Sequence, residues 1–110
     1  MTAIHFIERT DNVRKTDRLK NEWETGFWPV AEETAQKLIG ATLYLHPSKH
    51  QPSHFGGTIL SYRIEETGPA ARSTVFTIRA AVDSKGVKTN PKGWSKDHKI
   101  LWDTSETAHA

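Results

Sequence analysis

Alternation of apolar and polar residues marks three stretches of the chain as β-strands. These stretches run over 42–46, 58–64 and 73–82, and side chains two residues apart in a strand lie on the same face. Two shorter segments that are rich in apolar residues, Ala3–Ile7 and His98–Trp102, are also typical of strands. The pattern therefore predicts five strands.

A helix is predicted between Pro29 and Gly40. Its apolar residues are spaced so that they share one helical face: Ala31, Ala35, Leu38 and Ile39. Proline is favoured near the start of a helix and glycine just past its end. Glu32 and Glu33 lie in the first turn, where the helix dipole favours negative charge.

Polar segments containing proline and glycine separate these elements, at 46–57, 65–72 and 83–96. The last is long for a small domain, and loops of that length often carry function. The polar segment 9–24 places Leu19 and Trp23 four residues apart, which allows one or two helical turns there.

These elements predict an α+β fold, with a small curled, mostly antiparallel sheet that closes partly into a β-barrel and one or two helices. The chain has 110 residues, which suits one domain, since domains usually have roughly 100–200 residues. We assign that domain to residues 1–102 and predict a flexible tail over 103–110.

Composition narrows the possible functions. The absence of cysteine excludes a disulfide scaffold, thiol catalysis and cysteine-bound metal clusters. No apolar run reaches the roughly 18 residues that a membrane-spanning helix needs, and the amino terminus does not resemble a secretory signal. We therefore expect a cytoplasmic protein without a membrane partner, and the sequence points to no cofactor.

The net charge of only +2 conceals a basic segment. Residues 84–102 contain five lysines against Asp97: Lys85, Lys88, Lys92, Lys96 and Lys99. Trp94 lies among them, and an aromatic ring flanked by lysines can stack on a base while the charges contact phosphate. We assign phosphate contact to Lys85, Lys88, Lys92 and Lys96. The alternatives are a solvated basic face and a tryptophan that covers a small core.

The segment 46–57 contains three histidines, His46, His50 and His54, at spacings of four. A loop could gather them around Zn²⁺, but the segment supplies neither an acidic residue nor a cysteine, so we predict no metal site. Gly56 and Gly57 then open a strand. Paired glycines allow either the close approach of a ligand backbone or a tight bend of the strand itself.

Ligand binding is assigned to aromatic, histidine and glycine residues beside turns: Trp28, His46, His54, Phe55, Gly56, Gly57 and Trp94. Trp23 and Trp102 are expected in the core. No catalytic residue is assigned, because the chain has no nucleophile motif and no paired acidic motif. An acid–base pair made from His54 or His98 with Glu8 or Glu65 is chemically possible, but no spacing favours it.

The chain resembles the PUA-like superfamily, in particular its EVE and ASCH branches. The resemblance covers Trp28 to Ile64: an aromatic-led helix ending at Gly40, the strand Ala41–His46, a loop ending in Gly56-Gly57, and the strand Thr58–Ile64. It implies a curled β-barrel that binds RNA or a modified DNA base in a cleft. Some ASCH members are nucleases or amidohydrolases, but their lysine-threonine-glutamate set is unmatched, since Lys15-Thr16 is followed by Asp17.

Three functions remain open from the sequence. The first is a non-enzymatic nucleic-acid-binding module that holds a flipped or modified base. The second is a small ASCH-like hydrolase or nuclease that uses a histidine and a carboxylate. The third is a regulatory module that uses its aromatic loops to bind another protein.

Overall fold

The computed structural model describes residues 2–8, 13–48, 50–66, 72–89, 92–94 and 98–102. The tail 103–110, Lys96 and the Gly68-Pro69 turn lie outside these ranges. The elements in chain order are β1 (Ala3–Ile7), β2 (Val13–Asp17), β3 (Glu22–Trp28), α1 (Glu32–Lys37), β4 (Thr42–His46), β5 (Phe55–Glu65), β6 (Ser73–Ala80), a 3-10 turn (Val82–Ser84) and β7 (His98–Leu101). The result is a mostly-β domain with little helix.

The described strands form one sheet in the order β2-β3-β6-β5-β4-β1-β7. β1 runs parallel to β4, and the other adjacent pairs of described strands are antiparallel. This one parallel pair departs from a purely antiparallel sheet, and it arises because β4 follows a crossover that contains α1. The sheet is not closed, so the predicted barrel is not confirmed.

The helical turns predicted within 9–24 are wrong for its described residues, 13–24, because these belong to the hairpin of β2 and β3. Asp17 shapes the turn, since its Oδ1 accepts hydrogen bonds from the backbone N–H groups of Leu19 at 3.0 Å and Lys20 at 3.1 Å. Leu19 is 96% exposed at that turn. Trp23 instead pairs with Ile78 of β6, and this distant pairing overrides the weak local preference.

The core lies between α1 and one face of the sheet. Its fully buried apolar residues are Ile4, Phe6, Leu38, Leu43, Leu45, Ile59, Phe76 and Ile78. The predicted helix is present but spans only six residues, and Ala35 is buried as expected. Gly40 follows it with a φ of +88°, a conformation that glycine adopts at little cost.

Four apolar residues expected to face the core are exposed instead: Ala31 is exposed, Ile39 is 50% exposed, Val82 88% and Trp102 44%. Ala31 lies just before α1, and the other three lie one or two residues past the last residue of α1, β6 or β7, where Val82 begins the 3-10 turn. α1 ends at Lys37, β6 at Ala80 and β7 at Leu101, so the periodicity that orients a side chain has already stopped. Trp23 is partly buried against the core, as predicted.

Candidate nucleic-acid interface

The face of β1 that points away from the core carries buried polar side chains. Ile4 and Phe6 enter the core, so His5 points to the opposite face. The strand register places Tyr44 of β4 and Lys99 of β7 beside His5. His5, His46 and Lys99 are 2%, 0% and 8% exposed. Buried polar groups need partners, so the contacts of this cluster define its role.

The two buried imidazoles form a directed chain of hydrogen bonds. His46 Nδ1 lies 2.9 Å from the backbone oxygen of Gln51, and a carbonyl oxygen can only accept, so Nδ1 of His46 donates. His46 Nε2 lies 2.8 Å from Nδ1 of His5. If both rings are neutral, His5 donates to His46, and Nε2 of His5 keeps an unprotonated lone pair. The two histidines therefore connect β1 to the loop that contains Gln51.

Burial keeps these imidazoles uncharged. It lowers the pKa of His5 to about 4, and the neighbouring charges of His46 and Lys99 act in the same direction. Burial also lowers the pKa of His46, with a smaller contribution from His54, although the hydrogen bond to Gln51 opposes this shift. The hydrogen-bond geometry likewise requires His46 to be neutral, since its Nδ1 donates to Gln51 and its Nε2 must then accept from Nδ1 of His5.

Trp94 packs on this imidazole pair. Its ring centroid lies 5.6 Å from that of His46 and 6.4 Å from that of His5, both in edge arrangements. Tyr44 stacks on His5 at 4.7 Å. The indole is partly exposed, while its Nε1 is buried and has no hydrogen-bond partner in the structure. Trp94 thus holds one end of the lysine loop, defined as residues 82–89 and 92–94, against β1 and β4.

Ser53 fastens the middle of the lysine loop to the histidine loop, defined as residues 47–48 and 50–54. Its backbone N–H donates to the oxygen of Val87 at 2.8 Å, and its backbone oxygen accepts from Gly86 at 2.7 Å. Its hydroxyl donates to the oxygen of Ser84 at 2.6 Å and accepts from the N–H of Val87 at 3.0 Å. Ser53 is only 4% exposed, so this junction is a buried lock between the two loops.

The two joined loops carry exposed basic and imidazole side chains, here called the His/Lys surface: His50, His54, Lys85, Lys88 and Lys92. Among the described residues, Lys85 and Lys88 form no ion pair with a carboxylate. The lysine loop as described carries three lysines and one acidic residue, Asp83, a net charge of +2. The region therefore suits an anionic partner.

The other predicted ligand-binding residues are divided between this region and the sheet. His46 lies beneath the surface rather than on it, because its imidazole supports the histidine loop. Phe55 packs its ring edge on Trp23 at 5.0 Å. A Cβ at Gly56 would collide with the carbonyl oxygen of Leu43, and one at Gly57 with that of Arg79. The glycines are thus needed for the close approach of neighbouring strands, a role within the sheet that neither of the two alternatives described.

Trp28 is separated from the other candidates, because it lies in the core. It is 7% exposed and stacks on Phe6 with a centroid distance of 4.0 Å. Its Nε1 donates to the hydroxyl of Thr25 at 3.1 Å, so its polar atom is also satisfied. Of the residues assigned to ligand binding, the structure brings Trp94 to His46 and places Trp28 in the core.

Sequence reasoning missed His5, Tyr44, Lys99 and Ser53. His5 and Lys99 carried a usable signal, because each is a polar residue inside a short segment otherwise rich in apolar ones. A polar residue at such a position is buried with its strand and needs a specific partner. Ser53 carried no such signal, since serine is common in loops and its partners lie more than 30 residues away.

Comparisons of the chain with protein-family models, curated proteins and solved structures find no match. In the described part of the chain, no helix has the length and apolar character to cross a membrane. No group of three or more metal-ligating side chains occurs among the same residues. The function is therefore argued from the geometry of the His/Lys surface and the cluster beneath it.

Proposed function

We propose that this protein is a nucleic-acid-binding module of PUA-like type that contacts its ligand, RNA or modified DNA, through the His/Lys surface. The observation that carries the proposal is the Ser53 junction, which holds a histidine-rich loop and a lysine-rich loop together. Two loops fixed in this way present their charges without the ordering cost that separate flexible loops would incur on binding.

The division of roles follows from exposure and chemistry. Lys85, Lys88 and Lys92 are exposed cations suited to phosphate oxygens. Trp94 has one part of its ring packed on His46 and another part accessible, so it can contact a base while its position stays fixed. His54 is exposed beside Ser53 and supplies a further polar contact.

The test is a fluorescence anisotropy titration with labelled single- and double-stranded RNA and DNA at several salt concentrations. Each phosphate contact contributes a slope of about −0.9 to the log–log salt dependence with duplex and about −0.7 with single strands. The double variant Lys85→Gln/Lys88→Gln should weaken binding and flatten the slope by about 1.4–1.8.

The matched control is the double variant Lys20→Gln/Lys37→Gln, which removes the same charge from exposed positions outside the two loops. It should leave the affinity close to that of the parent protein. Equal losses in the two double variants would assign binding to net charge rather than to this surface. An absence of salt-sensitive binding to all four nucleic acids would refute the proposal.

A small hydrolase or nuclease is the second candidate, and one observation favours it. The lone pair on Nε2 of His5 belongs to a buried ring held by His46, an arrangement that can accept a proton at a defined position. The same RNA samples, analysed for cleavage after incubation, test this. Cleavage that persists in Lys85→Gln/Lys88→Gln but disappears in His5→Gln would establish it, and intact RNA throughout would remove it.

A further inference from the structure

A cavity of about 330 Å³ opens on the sheet between β2, β3, β5 and β6. It is lined by Val13, Arg14, Glu24, Phe27, Arg63 and Val75, together with Gly26. One end of β5 lies beside the lysine loop, because the backbone oxygen of Gly56 accepts a hydrogen bond from Ala81, the residue before that loop. Arg63 lies seven residues further along β5. At about 3.3 Å per residue this separation is roughly 20 Å, so the cavity is a different site from the His/Lys surface.

The floor and one wall of the cavity are apolar. Val75 is buried, and a Cβ at Gly26 would lie 2.8 Å from a methyl carbon of Val75, so the floor there is bare backbone. Phe27 forms a wall and is 43% exposed, which is high for a large aromatic side chain in a small domain. An exposed ring over an apolar floor suits a flat apolar group of a ligand.

The polar side of the cavity offers more donors than acceptors. Glu24 Oε1 accepts from Arg14 at 2.7 Å and from Nη2 of Arg63 at 3.3 Å, and its Oε2 accepts from Nε of Arg63 at 3.5 Å. Arg63 also donates to Glu65. Since a guanidinium has five N–H groups, two remain on Arg63 and four on Arg14 among the described contacts.

The charged side chains of the cavity form ion pairs that hold its donors in place. Hydrogen bonds from Arg63 and Arg14 lower the pKa of Glu24, so this carboxylate stays ionised and holds both guanidiniums in place. Arg14 and Arg63 are balanced in charge by Glu24 and by Glu65, the second partner of Arg63, while the side chains of Arg14 and Arg63 are 73% and 44% exposed. The excess of guanidinium N–H donors over acceptors suits a ligand group that is an anionic acceptor.

We propose that this cavity binds a small molecule in which a planar apolar ring carries an anionic oxygen group. The ring packs on Phe27 and Val75, and the carboxylate or phosphate receives hydrogen bonds from Arg14 and Arg63. Aromatic carboxylates and nucleoside monophosphates share this chemistry, and both have a size suited to the cavity. This inference does not depend on nucleic-acid binding at the His/Lys surface.

The experiment uses two pairs of probes, each an anion with its neutral counterpart: indole-3-carboxylate with indole-3-carboxamide, and AMP with adenosine. Binding is followed through the backbone amide signals of Gly26 and Phe27 in ¹H–¹⁵N spectra of the full chain. The anion of at least one pair should shift these signals and bind about tenfold or more tightly than its neutral counterpart, as expected for charge-assisted hydrogen bonds. Which pair responds distinguishes a carboxylate ligand from a phosphate ligand.

Variants connect the signal to the cavity. Arg14→Gln and Phe27→Ala should each weaken the binding of the anion about tenfold. The matched control is Arg79→Gln, because Arg79 is also an exposed arginine paired with a glutamate, Glu22, but does not line the cavity. It should leave binding unchanged.

Three results would overturn the inference. The first is that neither anion shifts the signals of Gly26 and Phe27, and the second is that a neutral probe binds as tightly as its anion. The third is that AMP shifts only the amides of Lys85 and Lys88 while indole-3-carboxylate leaves those of Gly26 and Phe27 unchanged, which would assign anion binding to the His/Lys surface instead. Because the probes are small molecules and the reporters lie on different elements, Gly26 and Phe27 on β3 and Lys85 and Lys88 on the lysine loop, this inference and the nucleic-acid proposal fail independently.

Discussion

The imidazole pair of His5 and His46 predicts that the folded protein loses stability in mild acid. The hydrogen bond of 2.8 Å between their ring nitrogens needs one of the two nitrogens to be unprotonated. Burial lowers the pKa of His5 from 6.5 to about 4 in the folded protein. As the pH falls, the unfolded chain therefore binds a proton at His5 before the folded protein does. The population of the unfolded state rises as the pH falls below 6.5.

The magnitude follows from the difference between the two pKa values of His5. Stability from this residue is fully present above pH 6.5 and is lost as the pH falls toward 4. Between pH 7 and pH 5 the loss is about 2 kcal/mol, and His46 adds to it, since its pKa is lowered as well. His5 is 2% exposed, so solvent screening reduces this figure little.

The assay is urea unfolding monitored by tryptophan fluorescence at constant ionic strength, at pH 7, 6 and 5. The perturbed protein is His5→Asn, whose amide can still donate toward His46 but does not titrate. Its unfolding free energy should fall less between pH 7 and pH 5 than that of the parent, by about 2 kcal/mol. The control is Thr58→Asn, because Thr58 is exposed on β5 and has no titratable group, so the parent's pH dependence should stay intact.

The same pH dependence in His5→Asn and in the parent would refute the reasoning. A second measurement applies even if the variant folds poorly. The ¹⁵N shifts of the parent's imidazole rings at pH 7 should show a protonated Nδ1 and a bare Nε2 in both His5 and His46. A proton on Nε2 of His46 would contradict the proposed direction of the hydrogen-bond chain.

Three further predictions concern the loops and the core. Ser53→Ala should lower the unfolding free energy by about 1–3 kcal/mol, because it removes the hydroxyl that pairs with the backbone oxygen of Ser84 and the backbone N–H of Val87. The control, Ser61→Ala at an exposed position of β5, should change the unfolding free energy by less than about 0.5 kcal/mol. Equal effects of the two variants in urea unfolding would contradict the junction. Trp94→Ala should weaken nucleic-acid binding by about 1–3 kcal/mol in anisotropy titrations, and an unchanged affinity would remove Trp94 from the interface. Trp28→Ala should cost about 3–5 kcal/mol of stability through the lost stack on Phe6, and a smaller loss would contradict its place in the core.

Local periodicity determined most of the elements of this protein. The strands over 42–46 and 73–80 and the helix that ends before Gly40 could be predicted, because alternation of apolar residues reports which side of an element is buried. The basic character of the lysine loop and the clustering of three histidines were also visible in the sequence. These features depend on neighbouring residues only, and neighbouring residues are what a sequence pattern records.

Only the tertiary structure decided which distant segments meet. Trp23 pairs with Ile78 of β6, so it lies in a strand where helical turns were predicted. Trp28 lies in the core, where its ring stacks on that of Phe6. The Ser53 junction joins backbone groups more than 30 residues apart, and the bond from His5 to His46 spans 41. Such contacts stabilise the fold only after chain closure has placed both partners together, so no local pattern could specify them.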